Sequence, residues 1–335
     1  MPSTQKLYIL DVGHGNSSVL ITQSGVLVVD AGPGAALLEF LQREKVYHVD
    51  TLLISHADAD HVRGVIALLA SESVEIGQVY LNSDALKTSD LWDDLVYTLD
   101  KAHRDQSIKF ETSLHRGHTD DFNLGCIRVE ILAPSQYLAA RGPGSTDREG
   151  NPLTSNSVSA VIRLSSNDQP VVMFPGDLDE VGLSNLLQEN DSPSAPLVIF
   201  PHHGGHPGRN SDMVKFTRDF CNAVKPQKVI FSIGRGRYGT PQPEIVATIL
   251  AEVPEVNIAC TQLSVRCARE LPRAEQSYLL EIYAHGQEHG HCCAGTLVID
   301  LDDITTVSDP NIEHLEFIQN HLPGALCHSS LEGRS

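Results

Sequence analysis

The chain has 335 residues, 41% of them apolar and 20% charged, with 24 basic against 43 acidic side chains and a formal charge of −19. That length allows one large core or two modest ones, and no run of about 18 apolar residues offers a membrane-spanning helix. A field of this sign repels a phosphate backbone at long range, which disfavours tracking along long duplex DNA but leaves room for a small anionic substrate drawn in by bound cations, or a short single strand.

The stretch Met1–Leu10 carries one lysine and lacks the apolar core and cleavage site of a signal peptide, so a cytoplasmic address is the expectation. Leu7–Val12, Ser18–Thr22 and Val26–Asp30 read as strands joined by turns at Gly13-His14-Gly15-Asn16 and Ser24-Gly25. Ala35–Glu44 has helical spacing, Thr51–Ile54 is a continuous apolar strand, and Val62–Ala70 is a helix with Asp60 near its positive end. Gln78–Leu81 then reads as a strand and Ser89–His103 as a helix, followed by strands at Cys126–Leu132, Ser157–Leu164 and Val171–Phe174. Helices at Glu180–Gln188, Asp212–Ala223 and Pro243–Ala251 alternate with strands at Leu197–Phe200, Lys228–Ile233, Val256–Cys260 and Tyr278–Tyr283. Two long irregular loops, His115–Asn123 and Arg141–Ser155, are of a length that is usually functional or mobile. A short strand (Thr296–Asp300) and a helix (Asn311–Asn320) precede a polar tail, which suggests a main domain over 1–285 and an extension over 286–335. Two strand-rich halves covered by helices predict an α/β protein, an αββα sandwich with side chains projecting from strand ends at one rim.

The segment Ser55-His56-Ala57-Asp58-Ala59-Asp60-His61 closes the apolar strand Thr51–Ile54. Two imidazoles and two carboxylates so close together lose hydration on burial and crowd one another unless a cation holds them. Asp177, in Pro175-Gly176-Asp177, follows a second apolar strand, and a carboxylate there can bridge two cations about 3.5–4 Å apart. His202 and His203 follow a third; on extended backbone adjacent side chains point to opposite faces, so one would ligate while the other faces substrate. Ligands arriving from several strand ends at one rim are what a metal hydrolase needs.

Asp30-Ala31-Gly32, the 55–61 segment, Gly176-Asp177 and His202-His203-Gly204-Gly205 resemble the successive motifs of the metallo-β-lactamase superfamily. Leu10-Asp11-Val12-Gly13-His14-Gly15-Asn16, Asn156-Ser157-Val158-Ser159 and Tyr238-Gly239-Thr240-Pro241 look like motifs of the hydrolase domain of ComEC-type competence proteins and its stand-alone relatives, over roughly residues 6–265. The resemblance implies a four-layer sandwich in which His56 and Asp58 hold a first metal and Asp60 and His61 a second. Asp177 would bridge them, and one histidine of the 202–203 pair would complete the second site; His203 is favoured, with His202 beside the substrate, and the reverse stays open. Asp30 would be a structural acceptor. Asp58 stands where the superfamily commonly has His, and Asn156 where the third-motif His is usual, so oxygen donors harden the first site and shift its preference from Zn²⁺ toward Mn²⁺ or Mg²⁺.

The ComEC-like resemblance implies a nuclease or phosphodiesterase, with Asp58, Asp60, His202 and Asn156 serving the reaction. A lactonase or thioesterase, or a metal-bound partner-binding protein, are the rival classes. Thr240 replaces the family's usual His and Gly205 its usual Ser; His14, His206, Arg209, Arg235 and Arg237 are candidates to replace the lost groups, each with a plain turn or surface role as the commoner alternative. His115 and His118 read as loop residues. Seven cysteines at no framework spacing fit a reducing compartment. Cys260, Cys267, His291 and Cys292, with His289 and Cys293 beside them, form a candidate structural Zn²⁺ site, weighed against buried reduced thiols.

Overall fold

The computed structural model describes residues 5–71, 73–208, 211–236 and 238–328. Arg209 and Arg237 lie outside the described residues. The first half runs β1 (Lys6–Ile9), β2 (Ser18–Thr22), β3 (Gly25–Val29), α1 (Ala36–Arg43), β4 (His48–Leu53), α2 (Ala59–Ala70), β5 (Glu75–Tyr80), α3 (Asp90–Arg104) and β6 (Lys109–Glu111). The second runs β7 (Ile127–Ala133), α4 (Gln136–Arg141), β8 (Val161–Ser166), β9 (Gln169–Phe174), α5 (Glu180–Glu189), β10 (Leu197–Ile199), α6 (Met213–Val224), β11 (Lys228–Phe231), α7 (Pro243–Glu252) and β12 (Asn257–Cys260). β13 (Leu297–Asp300) and α8 (Ile312–His321) follow.

Each half begins with antiparallel strands and continues with parallel ones crossed over by helices. The sheets have strand orders β13-β1-β2-β3-β4-β5-β6 and β12-β11-β10-β9-β8-β7. Side-chain alternation shows why they stack as inner layers. In β3, Leu27 and Val29 enter the core between the sheets, while Val26 and Val28 enter a second core under α1, α2 and α3 with Phe40, Val65, Leu68, Trp92 and Leu95. Strands buried on both faces must be apolar at every position, which explains their continuous apolar runs. A third core packs Phe216, Phe220, Ile245, Ile249 and Phe317 from the helices against the outer face of the second sheet. The result is the expected four-layer αββα sandwich.

The parallel strands fix the rim. Asp30 follows β3 and Ser55 follows β4, paired Val29 to Leu53; Asp177 follows β9, the 202–203 pair follows β10, and Ser232 follows β11, all parallel neighbours. The amide of Ala160 donates to the carbonyl of Ser55 at 2.8 Å and joins the two sheets at this edge.

Three expectations need correction. Tyr278–Tyr283 is not a strand: buried Tyr278 donates its hydroxyl to the Cys293 carbonyl at 2.6 Å and packs on Phe317, so its side chain anchors the segment where ladder bonds were expected. Ser157–Leu164 starts as a single 3₁₀ turn, Asn156–Val158, and becomes strand only at Val161, because Ser157 bonds Asp179 (2.6 Å) and the Thr154 amide (3.0 Å). Local side-chain bonds of this kind compete with strand pairing. β6 and α4 lie in stretches with no strand or helix predicted; α4 is only 6 residues long, with Ser135 capping its first turn. The segment expected as an extension supplies the edge of the first sheet, β13 pairing antiparallel with β1 from Lys6↔Asp300 to Ile9↔Leu297. Among the described residues, no helix is long and apolar enough to cross a membrane.

Candidate metal centre

Asp30 is fully buried and organises the rim. It accepts from the Ser55 amide (2.7 Å), the Ser55 hydroxyl (3.0 Å), His61 Nδ1 (2.7 Å) and the Asn16 side-chain amide (3.2 Å). It is thus the structural acceptor expected from the sequence. Because the Ser55 hydroxyl proton goes to Asp30, Ser55 Oγ is free to accept from His56 Nδ1 at 3.0 Å. His203 Nδ1 donates to the Ser232 carbonyl at 2.6 Å. In all three histidines Nδ1 is engaged and Nε2 is left for the centre, which fixes tautomer and ring orientation.

Two groups of potential ligand atoms result, each with its atoms within 4.8 Å of one another: Asp60, His61, Asp177 and His203, and His56, Asp58 and Asp177. Asp177 belongs to both. Its Oδ1 lies 3.4 Å from His61 Nε2 and 3.6 Å from His203 Nε2, and its Oδ2 lies 3.8 Å from His56 Nε2. Asp60 Oδ2 stands 3.3 Å from His203 Nε2, and Asp58 Oδ2 3.8 Å from His56 Nε2. His56 Nε2, His61 Nε2, His203 Nε2 and Asp177 Oδ1 are all buried without a hydrogen-bond partner. Each such orphan costs about 1–3 kcal/mol, and a cation in either group would relieve that cost. The donor sets therefore fit two divalent ions.

The charges agree with that fit. Burial works to raise the carboxyl of Asp177, but His202, His203 and His61 outweigh it and hold it well below the usual range. Burial likewise opposes ionisation of Asp58 and Asp60, and neighbouring cations win: His56 and Lys87 at Asp58, His203 and His61 at Asp60. For His61 and His203 burial pushes down, and the surrounding carboxylates, Asp30 and Asp177 for the first and Asp177 and Asp60 for the second, push them above their ordinary value. His202 is lowered, chiefly by burial.

The structure brings His56, Asp58, Asp60, His61, Asp177, His202 and His203 to one rim. The backbone at the histidine pair differs from the extended form expected. His202 (φ 53°, ψ 26°) and His203 (φ 56°, ψ 23°) are both left-handed, so both imidazoles flank Asp177, with His202 Nδ1 3.5 Å from Oδ2. Such residues cost about 1–3 kcal/mol each and persist where surrounding bonds overdetermine them, here the Ser232 carbonyl and the bond from the Gln242 amide to the Gly204 carbonyl. Gly176 is required for a similar reason. At φ 54°, a Cβ there would lie 2.3 Å from Ser159 Oγ and 2.7 Å from Ser55 Cβ, blocking the approach of Asp177 to the first motif. Asn156 sits in its 3₁₀ turn with its amide oxygen buried and unpartnered.

His14 also reaches the centre: its Nε2 lies 3.5 Å from Asp60 Oδ2 and its ring 4.5 Å from that of His203 and 4.2 Å from Tyr238. Burial and His203 push it down to about 4. Arg235, by contrast, spends its guanidinium on the carbonyls of Leu263, Ala268 and Arg269 and is a structural tie. His206 is exposed, and His115 and His118 face one another in their own turn, outside both ligand groups. Sequence reasoning missed Lys87, whose ammonium bonds Asp58 Oδ1. Its only sequence signal was a lone cation in the polar stretch between β5 and α3. The expected Cys260, Cys267, His291 and Cys292 set is not among the ligand groups of the described residues. Cys292 turns to the carboxylate of Asp11, 3.5 Å away, which also accepts from the Gly286 amide and Gln262.

Comparison with known proteins follows this geometry. Among solved structures, the metallo-β-lactamase fold protein YhfI from Bacillus subtilis is 14% identical, with 76% of this chain and 96% of that chain covered and a TM-score of 0.46. The short form of human tRNase Z is also 14% identical, over 88% of this chain and 99% of that one (TM-score 0.41). A diphosphatase of the PhnP family is 9% identical over 68% and 87% (TM-score 0.39). No curated protein matches the sequence. The sequence profile of the Metallo-beta-lactamase superfamily matches residues 10–209, more than half of the chain and the stretch that supplies every ligand above. With two stacked sheets and two groups of ligand atoms sharing Asp177 at one rim, the chain belongs to the metallo-β-lactamase superfamily and has the fold of its metal-dependent hydrolases.

Proposed function

We propose that this protein is a two-metal phosphodiester hydrolase acting on a nucleotide, an oligonucleotide or another small phosphodiester. The observation that carries the reading is the set of three imidazoles with Nδ1 anchored and Nε2 unpartnered, facing carboxylates that remain ionised. His56 and Asp58 would hold one cation, Asp60, His61 and His203 the other, and Asp177 both. Such cations lower the pKa of a bound water and neutralise charge developing on the substrate.

The chain's own side chains supply the rest. Asp58 and Asp60 are placed to orient the attacking water, and Lys87 adds a fixed positive charge beside Asp58 that suits a phosphate oxygen. His202, with Nε2 unpartnered next to Asp177, and His14, on the Asp60 side, are the groups placed to pass a proton to a leaving oxygen. The first group holds a single imidazole with two carboxylates, and Asn156 adds an unpartnered amide oxygen. This donor set supports Mn²⁺ over Zn²⁺ there, in keeping with the ComEC-like resemblance. Net charge of −19 favours small substrates over long duplex.

The test is metal analysis joined to a substrate panel of single-stranded nucleic acid, cyclic nucleotides, phosphodiester reporters and lactones, run in Mn²⁺ and Zn²⁺. Turnover of a phosphodiester that disappears in Asp60→Ala and Asp177→Ala supports the reading. Turnover of lactones alone would replace it with a carbonyl hydrolase, and two bound metals with no turnover would leave a binding protein.

A further inference from the structure

Away from the rim, four cysteines from separate parts of the chain meet. Cys260 closes β12, Cys267 lies in the turn beyond it, and Cys327 follows α8. Cys293 belongs to the segment laid against the end of β12, its amide donating to the Thr261 carbonyl at 3.1 Å while that of Ala294 donates to the Cys260 carbonyl at 2.8 Å. All four line one small cavity of about 20 Å³, whose other walls include Val246, Ile258, Leu263, Ile318 and Leu322. That is room for one water-sized occupant, but a water there would find few partners among such walls.

Two further observations concern the sulfurs. Every one of the four lies within electrostatic reach of the other three. Backbone N–H groups also point at three of them: Leu326 at Cys267, Cys260 at Cys293, and the residue's own amide at Cys327. N–H donors favour a thiolate over a thiol. They have little to do beside neutral thiols, and burial raises all four above their ordinary value when nothing else is present. A void, four sulfurs and donors aimed at sulfur form a set that a soft divalent ion completes.

We propose that Cys260, Cys267, Cys293 and Cys327 bind a structural zinc ion through four thiolates, fastening the last two segments of the chain to the second sheet. Four sulfurs around one ion is a closed tetrahedral site, with Zn–S distances of about 2.3 Å. Uptake of the ion releases the four thiol protons to water and leaves the site with a net charge of −2. The sulfurs do not yet stand at ligand spacing, since only the rim groups bring atoms within 4.8 Å among the described residues. Cys267 and Cys327 are only partly buried, and one rotamer step at χ1 swings a sulfur by about 3 Å. The quartet differs from the one expected from the sequence in both of its non-sheet members: Cys292 is committed to Asp11, and Cys293 and Cys327 take the places given to Cys292 and His291.

The site is independent of the hydrolase reading, and so is its test. The full chain carrying Asp60→Ala and Asp177→Ala is expressed with zinc, dialysed against a weak chelator and analysed for metal. One zinc per chain is expected, and cobalt substitution should give the intense absorption of a tetrahedral cobalt thiolate. Cys267→Ser and Cys327→Ser in the same background should lose that ion and melt at lower temperature, whereas Cys221→Ser, a buried thiol outside the quartet, should keep it. A folded chain with wild-type cysteines that retains no zinc, or that binds cobalt without the thiolate absorption, overturns the proposal.

Discussion

Asp30→Asn is the sharpest probe of the rim, because it changes one charge while preserving shape. The amide oxygen can still accept from the Ser55 amide in the place of Oδ1. The new NH₂ then faces His61 Nδ1, the Ser55 hydroxyl and the Asn16 amide, three groups that donate to Oδ2 in the native chain. The Ser55 hydroxyl can rotate to accept, but the other two bonds are lost. A charge-assisted bond to a buried imidazole contributes about 1.5–3 kcal/mol and the amide bond about 1, so metal-free protein should lose about 3 kcal/mol, or about 6–9 °C in Tm. His61 has one escape, moving its proton to Nε2 so that Nδ1 accepts. That tautomer points N–H at the centre and removes the lone pair a cation needs. Mn²⁺ affinity at the Asp60 group should therefore fall about 10- to 100-fold, while the His56 group keeps its own. Thermal melts of chelator-treated protein and calorimetric Mn²⁺ titration measure the two effects. A Tm within about 2 °C of wild type together with Mn²⁺ affinity within about twofold would refute the reasoning.

Cation binding should release about one to two protons at pH 7, because His61 and His203 are raised in the metal-free chain and must give up Nε2 protons to ligate. Affinity then rises with pH, and calorimetry in buffers of different ionisation enthalpy reads the protons directly; buffer-independent heats would contradict it. Asp177→Ala should abolish tight binding in both groups, and Asp58→Ala in the first alone, by metal stoichiometry. Lys87→Met should tighten the first group about tenfold, since a single positive charge about 6 Å from a divalent ion costs about 1.4 kcal/mol even in water. Weaker Mn²⁺ binding in that variant would instead make Lys87 a support for Asp58. His202→Asn should lower kcat by about 10²- to 10⁴-fold with metal content unchanged, if it moves a proton in the reaction.

Much of this centre is written in the order of the chain because each ligand ends an apolar strand, and parallel strands carry their ends to one edge. His56, Asp58, Asp60, His61 and Asp177 were legible for that reason. The geometry of His202 and His203 was not, since consecutive left-handed residues are a tertiary compromise held by Ser232 and Gly204 and leave no local pattern. Lys87 carried no signal because its role depends on where the stretch after β5 is pinned, through Asn82 to the carbonyls of Leu114 and Val158. Tyr278 has the alternating neighbours of a strand, yet its hydroxyl finds Cys293 and its ring finds Phe317. Cys327 stands far from the other cysteines in sequence, and only the return of α8 onto the second sheet brings it to them.

The pairing of β13 with β1 joins residues as far apart as Lys6 and Asp300. A ribosome adding about 5–20 residues per second has produced nearly all of the protein before that edge can close. Until then β1 presents a bare flank to the cell, and contacts of such long range form slowly. Nascent chains stalled before Leu297 should consequently recruit holding chaperones, and release past Asp300 should end that dependence.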